Sequence, residues 1–298
     1  MEEEWSAEIM EAVKIPVELF PPVTRPGTRL GDLRGVPVTA SASHDVASAV
    51  VAVPSRDTDF MYIRCGAWSL LGTEVSNPVI SDHVYSQGFT NTGGAAGSLL
   101  LKRLPGRWLE QELLLEWQGK GVSLTMGDVV ESSMKSEPFK CLIDPDDPRF
   151  RGEGEMTSRI KRYCVETGQQ APLSVGEFLR CVHESLALNS RRAAEELEAI
   201  TGKRYPAVHV ICEDSGNTLQ NRFTAEATGK RVIVGPEDAA VLGNAAVQLV
   251  GLGTLGDVWE ARRVGSESRE LQTIYPSEHE QWEDAYTRFL TFSGGEAD

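Results

Sequence analysis

Short apolar runs alternate with helical patterns through the second half of this chain, and no other feature constrains the fold as strongly. "AVHVIC" reads as a buried strand, "NTLQNRFTAEATG" as a helix, "RVIVG" as a second strand and "EDAAVLGNAAVQLVGLG" as a second helix. A fully apolar run of a few residues, bounded by turn residues, suits a strand covered on both faces. Strand and helix in alternation specify an α/β layout. Just upstream, "VGEFLRCVHESLALNSRRAAEELEAITG" reads as a long helix with Gly202 as its C-cap. "MTSRIKRYCVETG" reads as another helix, and "EHEQWEDAYTRFLTF" as a tail helix.

The first half is less regular. Glu2 to Val13 reads as a short amphipathic helix, and "IPVELFPPVTRPGTRLGDLRG" as an extended connector. "VPVTASAS" alternates as a strand, and "DVASAVVAV" is an apolar helix closed by Pro54. "FMYIRC" and "AWSLLGTE" are strands joined at Gly66, a hairpin pattern. "FTNTGGAAGS" reads as a turn-rich loop. In "RWLEQELLLEWQ", Trp108, Leu109, Leu113 and Trp117 fall near one side of a helix. From Gly119 to Gly152 the pattern offers only breakers.

Composition narrows the partners. A length of 298 residues suffices for one large domain or two modest ones. A net charge of -15 argues against nucleic acid or an anionic membrane surface, which need basic patches. It leaves room for a small anionic ligand held by local donors. No run approaches the roughly 18 to 20 apolar residues of a membrane span, and the acidic opening "MEEEWSAEIM" is not a signal peptide. Five cysteines without a CxxC pattern point to a reducing cytoplasm and leave a Cys164–Cys181 bridge open. Five scattered histidines lack zinc spacing, and "DPDDPRF" lacks the spacing of a calcium loop, so no metal site is expected.

Three stretches can carry chemistry. In "ASHDVASAV", Asp45 sits where a strand ends and a helix begins, the place where α/β folds present ligand groups. It is either a general base or the helix N-cap. Gly66 either turns a hairpin or lets backbone amides face a phosphate. "ICEDSGNTLQNRF" has the outline of a strand, loop and helix built for close backbone approach, yet carries Glu213 and Asp214. Asp214 or Ser215 would cap the helix there, which leaves Glu213 exposed or salt-bridged.

"LFPPVTRPGTRLGDL", "ASHDVASAVVAVP", "YIRCGAWSLLGTE", "FTNTGGAAGS", "WLEQE", "DPDDPRF", "CVETGQ", "HESLAL" and "GPEDAAVLGNAAVQ" together resemble the FGGY carbohydrate kinases, most closely their rhamnulokinase branch. The resemblance implies a ribonuclease-H-like, actin-like α/β fold, ATP with Mg2+, and a ketose substrate. It covers the later part of such a kinase. The family's opening phosphate loop of the Asp-x-Gly type has no counterpart, so residues 1–43 match the tail of the first lobe and a connector. Residues 44–298 match the C-terminal lobe. Either a fragment or a natural half-protein is expected, with a separate N-terminal lobe as partner.

By the same resemblance Asp45 is the catalytic base, and His44 and Val46 lie on the sugar side. Val46 stands where the family has threonine. On the nucleotide side fall Gly66, Ala67, Arg103, Gln111, Glu213 and Asn217. Ala67 replaces a threonine, Arg103 an asparagine, and the family's glycine run becomes Cys212-Glu213-Asp214. Those side chains would occupy adenosine's space and repel a triphosphate. One like-charge pair at 4 Å costs about 1 kcal/mol in water and about 4 at an effective dielectric of 20. Three functions follow: a sugar-kinase lobe, a non-catalytic binding or regulatory module, and an orphan scaffold exposing an apolar face.

Overall fold

The computed structural model describes residues 4–212, 218–268 and 270–294. It opens with α1 (Ala7–Ala12), capped by the Ser6 side chain and shorter than the expected helix from Glu2. A two-stranded sheet of β1 (Arg29–Leu33) and β2 (Val36–Thr39) follows, with nearly every side chain exposed. Helix α2 (Asp45–Val51) buries Ala47 through Val51.

The expected hairpin is present: β3 (Met61–Arg64) pairs antiparallel with β4 (Trp68–Val75). After the short α3 (Asp82–Ser86), the "FTNTGGAAGS" stretch departs from the loop expected there. It forms β5 (Phe89–Gly93), a tight glycine turn, and the start of β6 (Ser98–Pro105). Its glycines allow close approach: a Cβ on Gly97 would overlap the Val75 carbonyl. Pairing with β4 supplies the order that local propensity does not.

Helix α4 (Trp108–Gly119) buries Leu109, Leu113 and Trp117, as its spacing predicts. The breaker-rich stretch hides a helix, α5 (Met126–Lys135). Its start is a capping box in which Thr125 and Asp128 satisfy each other's backbone N–H, a signal legible in "TMGD". Then come α6 (Met156–Glu166) and the long α7 (Val175–Thr201), which ends at Gly202 with φ of 67°. The strand–helix alternation appears as β7 (Ala207–Ile211), α8 (Thr218–Thr228), β8 (Arg231–Val234) and α9 (Ala239–Gly251). Three further elements close the chain: α10 (Val258–Glu267), β9 (Thr273–Ile274) and α11 (His279–Leu290).

Seven strands form one mixed sheet in the order β5-β6-β4-β3-β7-β8-β9, with β3, β7 and β8 parallel. Side chains alternate across it. Met61 and Ile63 join Val208, Val210, Ala193 and Leu197 on the α7–α8 face. Tyr62 and Ile211 pack with Val50, Val51 and Val247 on the α2–α9 face. With both faces covered, the parallel strands β3, β7 and β8 are mostly apolar, with His209 buried inside β7. Each fully buried Leu, Ile or Met side chain adds about 1.5–3 kcal/mol.

The cysteine pairing differs from the expectation. Cys164 and Cys181 are free and buried, while Cys65 and Cys212 form a disulfide. The reason is register. Arg64 and Ile211 are partners on parallel strands β3 and β7, so the residues that follow them emerge side by side, with Cα atoms 4.9 Å apart.

Candidate active site

The carboxyl ends of β3 and β7 mark the site, because adjacent parallel strands end there and the chain turns away on both sides. On one side lies the start of α2. Its N-cap is His44, not Asp45: the His44 Nδ1 accepts from the Ala47 N–H at 3.3 Å. An accepting Nδ1 leaves the proton on Nε2, which donates to the Gly93 carbonyl at 3.0 Å. Both ring nitrogens are therefore engaged within the fold. Val46, the next residue but one, is half-buried against the α2–α9 core.

Asp45 is left free of capping duty. Its side chain is 61% exposed, and its Oδ2 lies 2.8 Å from the Arg64 guanidinium. Arg64 ends β3 and was not anticipated from the sequence. It also walls a recess of 290 Å³ with Ala49, Glu237 and Asp238, between α2 and the approach to α9. A carboxylate held by one arginine at the surface is oriented and open to a substrate hydroxyl.

On the other side of the strand ends lies a cavity of 310 Å³. Cys65, Gly66 and Ala67 form one wall, and Gly106, Arg107 and Gln111 another. The hairpin turn is tight. Gly66 and Ala67 accept, through their carbonyls, from the N–H groups of Arg107, Gly106 and Trp108. Gly106 admits no Cβ, which would overlap the Gly66 carbonyl. The cavity thus gathers three residues expected on a nucleotide side, Gly66, Ala67 and Gln111. Arg103 is not among its walls; it is exposed and stacks its guanidinium 4.2 Å from the Trp68 ring centre. Glu213 and Asn217, with the proposed cap at Asp214 or Ser215, lie outside the described residues.

The Cys65–Cys212 disulfide borders this cavity, and Cys65 borders the recess beside Asp45 as well. The inner end holds Glu110 and His183, which lie within "WLEQE" and "HESLAL" but were given no role from the sequence. Glu110 and His183 are each about 1% exposed and approach to 3.2 Å, and Gln220 stands beside the imidazole. "WLEQE" pointed to Gln111; its neighbour Glu110 acquires meaning only when α7 and α8 pack beside α4.

The aspartates of "DPDDPRF" are engaged within the fold. Asp146 pairs with Arg192 at 2.8 Å, and Asp147 caps the turn at Pro148–Phe150. Burial pushes the Asp144 carboxyl up to about 6 against the opposing pull of Arg192.

Comparison with known proteins matches the chain to a family. Residues 61–252 match the FGGY family of carbohydrate kinases, C-terminal domain. The chain is 37% identical over 293 residues to a rhamnulokinase of Bacteroides thetaiotaomicron, covering 95% of this chain and 60% of that protein. A rhamnulokinase of Bacillus subtilis is 34% identical over 282 residues, covering 91% of this chain and 58% of that one. Among solved structures, gluconate kinase from Lactobacillus acidophilus superposes with a TM-score of 0.71 at 15% identity, over 97% of this chain and 60% of its own. Plasmodium falciparum glycerol kinase with ADP gives 0.70 at 12% identity, over 99% and 60%. The chain thus spans about three-fifths of the length of the relatives it matches.

Proposed function

This chain belongs to the FGGY family of carbohydrate kinases, and from that premise we propose that it is the catalytic-base-bearing C-terminal portion of a ketose kinase of rhamnulokinase type. Residues 44–298 are the C-terminal lobe, and residues 1–43 the tail of the first lobe and a connector. The phosphoryl donor is a nucleoside triphosphate, ATP by family likeness, seated in the 310 Å³ cavity.

The observation that carries the reading is Asp45. It stands exposed at the start of α2, held by Arg64, beside the strand ends that separate it from the cavity. A sugar hydroxyl bound there would give its proton to the Asp45 carboxylate as its oxygen attacks the γ-phosphorus, the bond from that phosphorus to the β–γ bridging oxygen breaking so that the nucleoside diphosphate leaves. Arg64 keeps that carboxylate in position. A positioned base contributes about 10²–10⁴ in rate, with positioning and charge stabilisation supplying most of the rest. Mg2+ keeps most of its waters and binds largely through substrate phosphates. Among the described residues no cluster of three metal-ligating side chains exists, and none is assigned to it.

The test is reconstitution. This chain, mixed with a separately produced first lobe of a related kinase, is expected to yield nucleoside diphosphate when rhamnulose or a similar ketose is added. Asp45→Asn should cut that rate by about 10²–10⁴ with folding unchanged. No product across a panel of ketoses overturns the reading.

A second reading, a binding module derived from a kinase, has its own support. Ala67 lacks a hydroxyl, and Cys212, tied to Cys65, stands where relatives by resemblance carry glycine. Calorimetry with magnesium nucleoside triphosphates decides: micromolar affinity ends this second reading.

A further inference from the structure

The donor cavity and the surroundings of Asp45 meet at one pair of side chains. Cys65 borders both the 310 Å³ cavity and the 290 Å³ recess walled by Arg64, and among the described residues no other does so. Cys212, just past the end of β7, faces it on the cavity side. Their bond therefore stands in the wall between the seat of the phosphoryl donor and the arginine that holds Asp45. The strand ends do not need that bond to stay together. The Cys65 N–H donates to the Ile211 carbonyl at 2.9 Å, which continues the pairing of Arg64 with Ile211. The Cα atoms of the two cysteines are 4.9 Å apart, an ordinary spacing for adjacent strands. Bridged and dithiol forms thus share one backbone. As thiols the two side chains are free to turn away from each other; as a bridge they are fixed across the gap. Cys65 is half-buried and Cys212 is 7% exposed, and both line the cavity, so a small thiol or disulfide reaches them through it. In the reducing compartment that the cysteine pattern predicts, a disulfide within reach is transient.

We propose that Cys65 and Cys212 form a thiol–disulfide modification site that gates phosphoryl transfer, closed as the bridge and open as two thiols. Its reactant is a low-molecular-weight thiol–disulfide couple of the glutathione kind. The thiolate of one cysteine attacks a sulfur of glutathione disulfide, whose S–S bond breaks and releases one glutathione thiolate. The thiolate of the other cysteine then attacks the cysteine sulfur of the mixed disulfide. The bond to glutathione breaks, and a second glutathione thiolate leaves. The two cysteine protons end on the two glutathiones. The cysteine pair is oxidised by two electrons, and glutathione disulfide is reduced by the same two. Two glutathione thiols run the sequence in reverse. A γ-phosphoryl group moving from the cavity to a hydroxyl at Asp45 passes the strand ends where the bridge stands, so a fixed bridge there holds donor and acceptor out of line.

The gate rests on the kinase reading, and one experiment separates the two. The full chain is equilibrated with mixtures of reduced and oxidised glutathione. One portion is blocked with iodoacetamide and digested, and the peptides carrying Cys65 and Cys212 are weighed by mass spectrometry. Oxidised glutathione should link them and reduced glutathione should free them. The other portion is mixed with the first lobe and assayed for nucleoside diphosphate. The dithiol form should transfer at least about tenfold faster than the bridged form, with the rate falling in step with the linked fraction. Cys65→Ser and Cys212→Ser, neither of which can form the bond, should each transfer at one rate under all mixtures. A pair that glutathione neither links nor frees overturns the switch. Equal or faster transfer by the bridged form, or a redox response that persists in either variant, overturns the gate and leaves the kinase reading standing. No turnover in any form overturns both.

Discussion

Replacing Arg262 by methionine should cost this fold more than almost any other single change. Arg262 lies on α10, and its side chain is fully buried. One nitrogen, Nη2, sits 2.7 Å from Oε2 of Glu74 on β4 and donates to the Val50 carbonyl of α2 at 3.3 Å. Its Nε and Nη1 make no hydrogen bond. The guanidinium instead lies 4.7 Å from the Phe60 ring centre and 4.5 Å from that of Trp259. One residue thus ties helix, sheet and the helix that carries Asp45. Arg262→Met keeps most of the packing volume and removes the charge, leaving the Glu74 carboxylate 5% exposed with no cation. Breaking one side of such a pair costs about 3–5 kcal/mol. Because two donors of Arg262 are unsatisfied, the intact pair is itself expensive. The double replacement Arg262→Met with Glu74→Leu should therefore recover stability to within about 1 kcal/mol of the starting chain. Urea unfolding followed by circular dichroism at pH 7 measures all three. A single variant losing less than 1 kcal/mol, or a double variant no better than the single, refutes the argument.

Three other outcomes are open to measurement. Reducing the Cys65–Cys212 bond, which spans 147 residues of sequence, should lower stability by up to about 5 kcal/mol, read as a shift in denaturant midpoint with and without dithiol. Burial pushes the Glu184 carboxyl from 4.5 up to about 7, against the pull of Arg180. The folded state thus binds that proton more tightly than the unfolded one. Its stabilising contribution is complete below about pH 4.5 and is lost as pH rises through about 7, with a slope of up to about 1.4 kcal/mol per unit that Glu184→Gln should flatten. Finally, a Cβ on Gly243 of α9 would overlap the Ser48 carbonyl of α2. Gly243→Ala should push those helices apart, lower the melting temperature by several degrees and, in the reconstituted kinase, slow transfer through displacement of Asp45.

The elements most readable in the sequence were those whose pattern is local. β7, α8, β8 and α9 alternate as their residues require, because a strand covered on both faces is predominantly apolar and the runs are bounded by turn residues. Gly202 ends α7 because only a left-handed residue closes it comfortably there. The family likeness located Asp45, and its exposure suits the part assigned to it. The β5–β6 turn was not legible, since its glycines mask a segment whose order comes from pairing, and α5 offered only the cap signal of "TMGD" amid breakers, its buried face being set by packing on α7.

By itself, then, the sequence determined the α/β class and the identity of the residues at each strand end, since periodicity and turn chemistry act over a few residues. Tertiary structure alone decided which of those residues meet. It joined Cys65 to Cys212 through parallel register, gave the cap of α2 to His44, and set Arg64 on Asp45. It also brought Glu110 against His183 across 73 positions of sequence. Contacts between distant segments depend on how layers pack, and no short stretch of chain encodes them.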